Sequence, residues 1–126
     1  MAVPADRRYA ETHEWHMKDG DLIVVGLTQF AVDQLTDITF AEMQGEGTTV
    51  EAGGEIGEVE SVKTSSDIYS GVSGEIVQVN GALADDPSVL NTDPFGEGWL
   101  VKIRPSNPDE LEGLMDAGTY DEKNPS

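Results

Sequence analysis

Val59-Glu60-Ser61-Val62-Lys63-Thr64-Ser65-Ser66-Asp67-Ile68-Tyr69 is the stretch whose reading decides the rest. Two β-prone segments, Glu55 to Val59 and Asp67 to Tyr69, flank small polar residues with one lysine among them. That is the layout of a β-hairpin presenting a single amine at its tip. The chain's lysines are Lys18, Lys63, Lys102 and Lys123, so an amine at a tight turn is a scarce group here. A modifying ligase needs such exposure, because it must reach the nitrogen without unfolding its substrate. The ordinary alternative is a solvated turn lysine with no role, since loops are polar and exposed by default. The pattern around the hairpin decides between the two.

Outward from the hairpin, strands dominate. Leu22-Ile23-Val24-Val25-Gly26 reads as a buried strand. Thr28 can cap a short helix through Leu35, with Phe30, Ala31 and Leu35 at helical spacing. Ile38 to Met43 returns to strand. Gly45, Gly47, Gly53 and Gly54 punctuate loops around Val50. Gly74 to Asn80 is a further strand, Val89-Leu90 a single helical turn, and Trp99 to Arg104 an alternating strand closed by Pro105. Asn107 opens a C-terminal helix as N-cap, with Pro108 at its first position and Glu110 completing a capping box. Leu111, Leu114 and Met115 form its apolar stripe, and the polar tail from Asp121 to Ser126 is expected to be loose. Gly54-Glu55-Ile56-Gly57-Glu58-Val59 and Gly74-Glu75-Ile76-Val77-Gln78-Val79 share G-E-I-x-x-V and bracket the hairpin. Two similar strands about a central turn suggest a quasi-symmetric sandwich.

The 126 residues fit a single domain, 1–126, with a core from about residue 9 to about residue 120. No cysteine is present, which excludes disulfides, thiolate metal sites and a cysteine nucleophile. No apolar run approaches the roughly 18 residues of a membrane span. Met1 to Arg8 lacks an apolar signal core and is short for a transit peptide, so the expectation is a cytoplasmic protein. The net charge of −18 argues against nucleic acid and anionic membranes as partners. Self-repulsion at this charge density destabilises a compact state less when salt screens it, which points to a high-salt cytoplasm and so to a halophilic prokaryote.

His13 and His16 give H-x-x-H, but a zinc helix wants histidines four apart and a third ligand, and there is no further histidine. No nucleophile stands beside a histidine, and the glycines form no phosphate-binding loop. The reading is therefore of a protein that is not an enzyme and has no metal site.

Four stretches, in order, resemble the lipoyl-carrying H proteins of the glycine cleavage system: Glu11-Thr12-His13-Glu14-Trp15; Val25-Gly26-Leu27-Thr28-Gln29-Phe30-Ala31; Glu60-Ser61-Val62-Lys63 with Ser66-Asp67-Ile68-Tyr69-Ser70 and Val72-Ser73-Gly74-Glu75; and Asn91 to Trp99. The resemblance runs from about Tyr9 to about Tyr120. It implies a mainly β fold, a flattened barrel-like sandwich of two small antiparallel sheets of the lipoyl/biotinyl hammerhead type, with short peripheral helices and a C-terminal helix. It also implies that Lys63 carries lipoate. Biotin carriers usually flank their lysine with methionines, and Val62 and Thr64 stand there instead. The H-protein pattern commonly has proline where this chain has Gly71, and glycine leaves the turn freer.

On the same resemblance, the function is that of a non-enzymatic carrier. It takes an aminomethyl group from a pyridoxal-phosphate glycine decarboxylase to a tetrahydrofolate-dependent aminomethyltransferase. A flavin (FAD) dihydrolipoyl dehydrogenase then reoxidises it, and lipoate ligase or a lipoyl/octanoyl transferase installs the arm. The resemblance also implies that the loaded arm folds into a cleft on the carrier. The His13-Glu14-Trp15 segment is the candidate for part of its wall, with Glu14 as a contact for the amine and Trp15 as apolar cover, against the competing reading of an edge-strand glutamate and a core tryptophan. A lipoyl relay serving other enzymes and an unmodified acidic interaction module are the alternatives. The charge yields one expectation of its own: the melting temperature climbs steeply as KCl is raised to molar concentration, and a flat response would remove the high-salt reading.

Overall fold

The computed structural model describes residues 4–124. Its strands are β1 (Arg8–Tyr9), β2 (Glu14–Asp19), β3 (Leu22–Leu27), β4 (Ile38–Met43), β5 (Thr49–Val50), β6 (Glu55–Ser61), β7 (Ser65–Tyr69), β8 (Gly74–Val79) and β9 (Val101–Pro105). Its helices are α1 (Gln29–Leu35), α2 (Ala82–Asp85), α3 (Val89–Thr92) and α4 (Ala117–Lys123), with a 3-10 helix over Pro108–Gly113. One sheet has the order β1-β2-β3-β9-β8-β5 and the other β4-β6-β7. Both sheets are open, and all their pairings are antiparallel.

The two G-E-I-x-x-V segments fall on β6 and β8, one in each sheet, and Ile56 and Ile76 are both wholly buried in one core. Ile23, Val25 and Leu27 of β3, Ile68 of β7, and Val101 and Ile103 of β9 join it, and α1 adds Val32 and Leu35. Thr28 caps α1 through its hydroxyl, which accepts the Ala31 N–H at 3.3 Å. Phe30, at helical spacing with Ala31 and Leu35, lies half-buried with its ring 4.7 Å from that of His13. A second cluster, Tyr9, Trp15, Val24 and Tyr120, fills the outer side of the larger sheet.

The C-terminal region departs from the sequence reading. Asn107 does cap, accepting the Asp109 N–H at 3.2 Å, but the helix it opens is 3-10. Glu110 leaves the cap and binds Ser73 instead, through the N–H at 2.8 Å and the hydroxyl at 3.0 Å. That tertiary contact satisfies two donors, where a capping box would satisfy one. Leu111 and Leu114 pack on the main core, while Met115 pairs with the Tyr9 backbone and joins the second cluster. The true α-helix starts later, capped by Asp116, whose carboxylate accepts the Thr119 N–H at 2.8 Å. Asp121 to Lys123 are therefore helical, while Pro125 and Ser126 lie outside the described residues.

Exposed Glu42, Glu58 and Asp67 stand directly opposite one another across β4, β6 and β7. Like charges in cross-strand register repel. The Glu55 carboxyl at the end of the same face is pushed up from its ordinary value, chiefly by Asp67. Glu58→Lys should therefore raise the melting temperature by a few degrees in dilute buffer, and the gain should fade in molar KCl as screening removes the repulsion it relieves. Thermal melts at the two salt concentrations check this.

Candidate functional site

Lys63 lies at the tip of the β6–β7 hairpin and is exposed. The tip is held by one side chain. The Ser61 hydroxyl accepts the N–H groups of Lys63 at 3.2 Å and Thr64 at 3.1 Å, and the Ser61 N–H reaches the Thr64 carbonyl at 2.8 Å. Val62, next to the lysine, is 70% exposed, and its N–H donates to the Asp37 carbonyl at 3.0 Å. The backbone at the tip is thus fixed while the lysine side chain is free to move.

Tyr69 to Ser73, at the other end of β7, carries the chain from the small sheet to the large one. β7 ends at Tyr69 and β8 begins at Gly74, so the amides along this crossover need partners of other kinds. Each has one. Tyr69 donates to the Glu14 carboxylate at 3.1 Å. Ser70 donates to the Gly54 carbonyl at 2.9 Å. Gly71 donates to His16 Nε2 at 2.9 Å. Val72 donates to the Ser70 hydroxyl at 3.1 Å and Ser73 to Glu110. An unmatched buried donor costs about 1–3 kcal/mol, so these partners fix the crossover.

Glu14 and His16 are alternate residues of β2, so they share a face and meet alternate amides of the crossover. Both are buried, Glu14 at 1% exposure and His16 at 0%. Burial pushes the Glu14 carboxyl up to about 7, although hydrogen bonds from Thr12 and the Tyr69 N–H pull it down. Burial also drives His16 down to about 4, so it is neutral. Trp15 points to the opposite face. Its Nε1–H donates to the Pro94 carbonyl at 2.9 Å, and the Arg7 guanidinium lies 4.4 Å from its ring centre. The apolar-cover role expected of Trp15 is therefore corrected: strand alternation makes it a core residue on the far side from Glu14.

A cleft of about 500 Å³ opens beside the crossover. Tyr9, Thr12, Tyr69, Ser70, Gly71, Leu114 and Met115 are among the residues lining it. Both groups that hold the Glu14 carboxyl, Thr12 and Tyr69, are in this wall, so the carboxyl lies directly behind it. Gly71 is not the loose point that its sequence suggested. A Cβ there would stand 3.0 Å from His16 Nε2 and 2.9 Å from Leu114 Cδ2. His16 and His13 do not converge, since the His13 Nδ1 pairs with the Tyr120 hydroxyl at 2.7 Å. Among the described residues there is no group of three or more acidic or histidine side chains that could hold a metal. No helix among them is long and apolar enough to cross a membrane. Sequence reasoning missed the roles of His16 and Glu110, because nothing local marks a strand histidine or a cap glutamate as the partner of a distant amide.

The model of the family described as "Glycine cleavage H-protein" matches residues 7–125. This chain belongs to the glycine cleavage H-protein family. It is 48% identical over 122 residues to a glycine cleavage system H protein of Thermus thermophilus, covering 97% of this chain and 95% of that one. It is 50% identical over 120 residues to one of Parasynechococcus marenigrum, covering 95% and 93%. The crystal structure of a glycine cleavage system H protein from Mycobacterium marinum superposes with a TM-score of 0.88 at 41% identity, over 97% of this chain and 98% of that one. The H-protein fold is thus the two-sheet sandwich expected from the sequence.

Burial of Glu14 has a pH signature. Its folded value of about 7 lies above the ordinary 4.5, so its contribution to stability is fully present below pH 4.5 and is lost as pH rises through 7. His16 acts oppositely: its contribution is full above 6.5 and is lost as pH falls through about 4. Relative to the parent, Glu14→Gln should therefore gain stability by about 1.4 kcal/mol per pH unit across that window, on the order of 3 kcal/mol in all. Denaturant melts of both proteins at a series of pH values give the difference, in which the other carboxylates cancel.

Proposed function

We infer that this chain is the lipoyl carrier of a glycine cleavage system, with Lys63 as the attachment point, and that it is not itself a catalyst. The observation that carries this reading is Lys63, exposed on a hairpin tip whose backbone is pinned by Ser61, in a chain of the H-protein family. A lipoyl group fits that position. Among the described residues no carboxylate lies within ion-pair distance of the Lys63 amine, so forming an amide there forfeits no ion pair. Once linked, the group supplies a dithiolane that takes up and returns the one-carbon cargo and two electrons.

The chain's own residues would do three things. The hairpin holds the amine in one place, so that a tethered group meets successive enzymes at high effective concentration. Those enzymes are, on this reading, the pyridoxal-phosphate glycine decarboxylase, the tetrahydrofolate-dependent aminomethyltransferase and the FAD-containing dihydrolipoyl dehydrogenase, with a lipoate ligase or lipoyl/octanoyl transferase acting first. The cleft excludes water from the cargo. Glu14, behind the cleft wall and raised toward neutrality, gives up its proton to solvent when a cationic amine enters the cleft in front of it, so charge is matched only when cargo is present.

Two measurements check the reading. Protein from cells supplied with lipoate gains one lipoyl mass on Lys63, and Lys63→Arg, still folded, neither gains it nor supports glycine-to-folate carbon transfer. An unmodified native protein would instead favour an acidic interaction module. In loaded protein, Glu14→Ala shortens the lifetime of the aminomethyl group severalfold. A variant that keeps the group as long as the parent would remove Glu14 from the site.

A further inference from the structure

The cleft wall includes three consecutive crossover residues, Tyr69, Ser70 and Gly71. The last of the three is fixed by a side chain that does not itself reach the cleft surface. His16 is 0% exposed, and its Nε2 accepts the Gly71 N–H at 2.9 Å. In a neutral ring the proton then sits on Nδ1, which meets no partner at full hydrogen-bond geometry, although the Glu14 and Arg8 backbones favour a proton on the ring. A residue present only to fill volume there would be apolar, because a buried imidazole with one unmatched N–H carries a desolvation cost. The Gly71 bond offsets that cost. The glycine is fitted to the ring as well: a Cβ at position 71 would stand 3.0 Å from both Cε1 and Nε2 of His16 and 2.9 Å from Leu114, itself part of the wall.

We propose that His16 is a positioning residue for the cleft: its imidazole holds the Gly71 amide, and through it the wall that shelters the loaded arm. Glu14 grips Tyr69 two residues earlier, so β2 clamps the wall at two points in register. Without His16 the Gly71 N–H loses its acceptor, the crossover shifts to find water, and the wall opens where water must be kept out. The link to arm protection rests on the carrier reading above; the geometry of the wall does not.

The unmodified protein tests the geometry first. Imidazole 15N spectra at neutral pH should show His16 with an unprotonated Nε2 and a protonated Nδ1, and the reverse assignment would overturn the proposal. Amide exchange is the second test. His16→Phe keeps a ring of similar size without an acceptor and should speed Gly71 exchange at least tenfold, while the β3 and β9 amides keep their protection. His16→Gln, which restores an acceptor, should recover most of the Gly71 protection. Equal Gly71 exchange in parent and His16→Phe overturns the proposal. If His16→Phe does not fold, the parent protein decides alone: a through-hydrogen-bond 15N–15N coupling between the Gly71 amide and His16 Nε2 should be seen, and its absence counts against the bond.

On lipoylated, loaded protein, His16→Phe should shorten the aminomethyl lifetime severalfold and His16→Gln should not. An unchanged lifetime with Gly71 freed overturns the positioning role. A chain that never accepts lipoate would defeat the carrier reading and leave the spectra and exchange rates to decide the wall.

Discussion

The crossover from Tyr69 to Ser73 is the constraint on which the molecule depends. It must leave one sheet and join another within five residues, and in doing so it strips its amides of ladder partners. Three side chains from distant parts of the chain, Glu14, His16 and Glu110, supply acceptors, and the Gly54 carbonyl and the Ser70 hydroxyl supply the rest. Two of these acceptors are titratable groups buried on β2, with opposite preferences for the proton. The same joint fixes the relation of the two sheets and forms one wall of the cleft, so the stability of the fold and the shape of the site share one set of hydrogen bonds.

Much of this was legible in the residues. The β6–β7 hairpin, the Thr28-capped helix and the strands over residues 22–27, 38–43 and 74–79 arise from local chemistry: β-branched runs, a capping hydroxyl and glycines where the loops turn. The G-E-I-x-x-V echo correctly indicated two related strands, because the buried isoleucine of each serves one shared core. What local reading misassigned was decided at a distance. Glu110 has capping-box spacing, yet Ser73 offers it two donors. Trp15 has the character of a cleft aromatic, yet period-two alternation sends it to the opposite face, against Arg7 and Pro94. Gly71 suggests looseness by composition, whereas a Cβ there would press on His16 and Leu114.

The lysine tip and the cleft are both ends of β7. The tip is arrested by Ser61 and the far end by Glu14, so the strand between them has no slack. From Ser65 to Tyr69, the length of β7, the chain advances about 13 Å at strand rise. A group grafted onto the lysine therefore swings from a stationary base beside a stationary cleft, and its motion is confined to its own rotatable bonds.

The outward face of the small sheet has a further effect. β4 and β7 are its two unpaired margins, and an unpaired strand invites a second copy to dock along it. Glu42 lies on one margin and Asp67 on the other. Any two molecules approaching rim to rim would bring carboxylates together before backbone hydrogen bonds could form. The repulsion across a single sheet thus also opposes edge-to-edge pairing of copies, and it leaves the lysine tip clear.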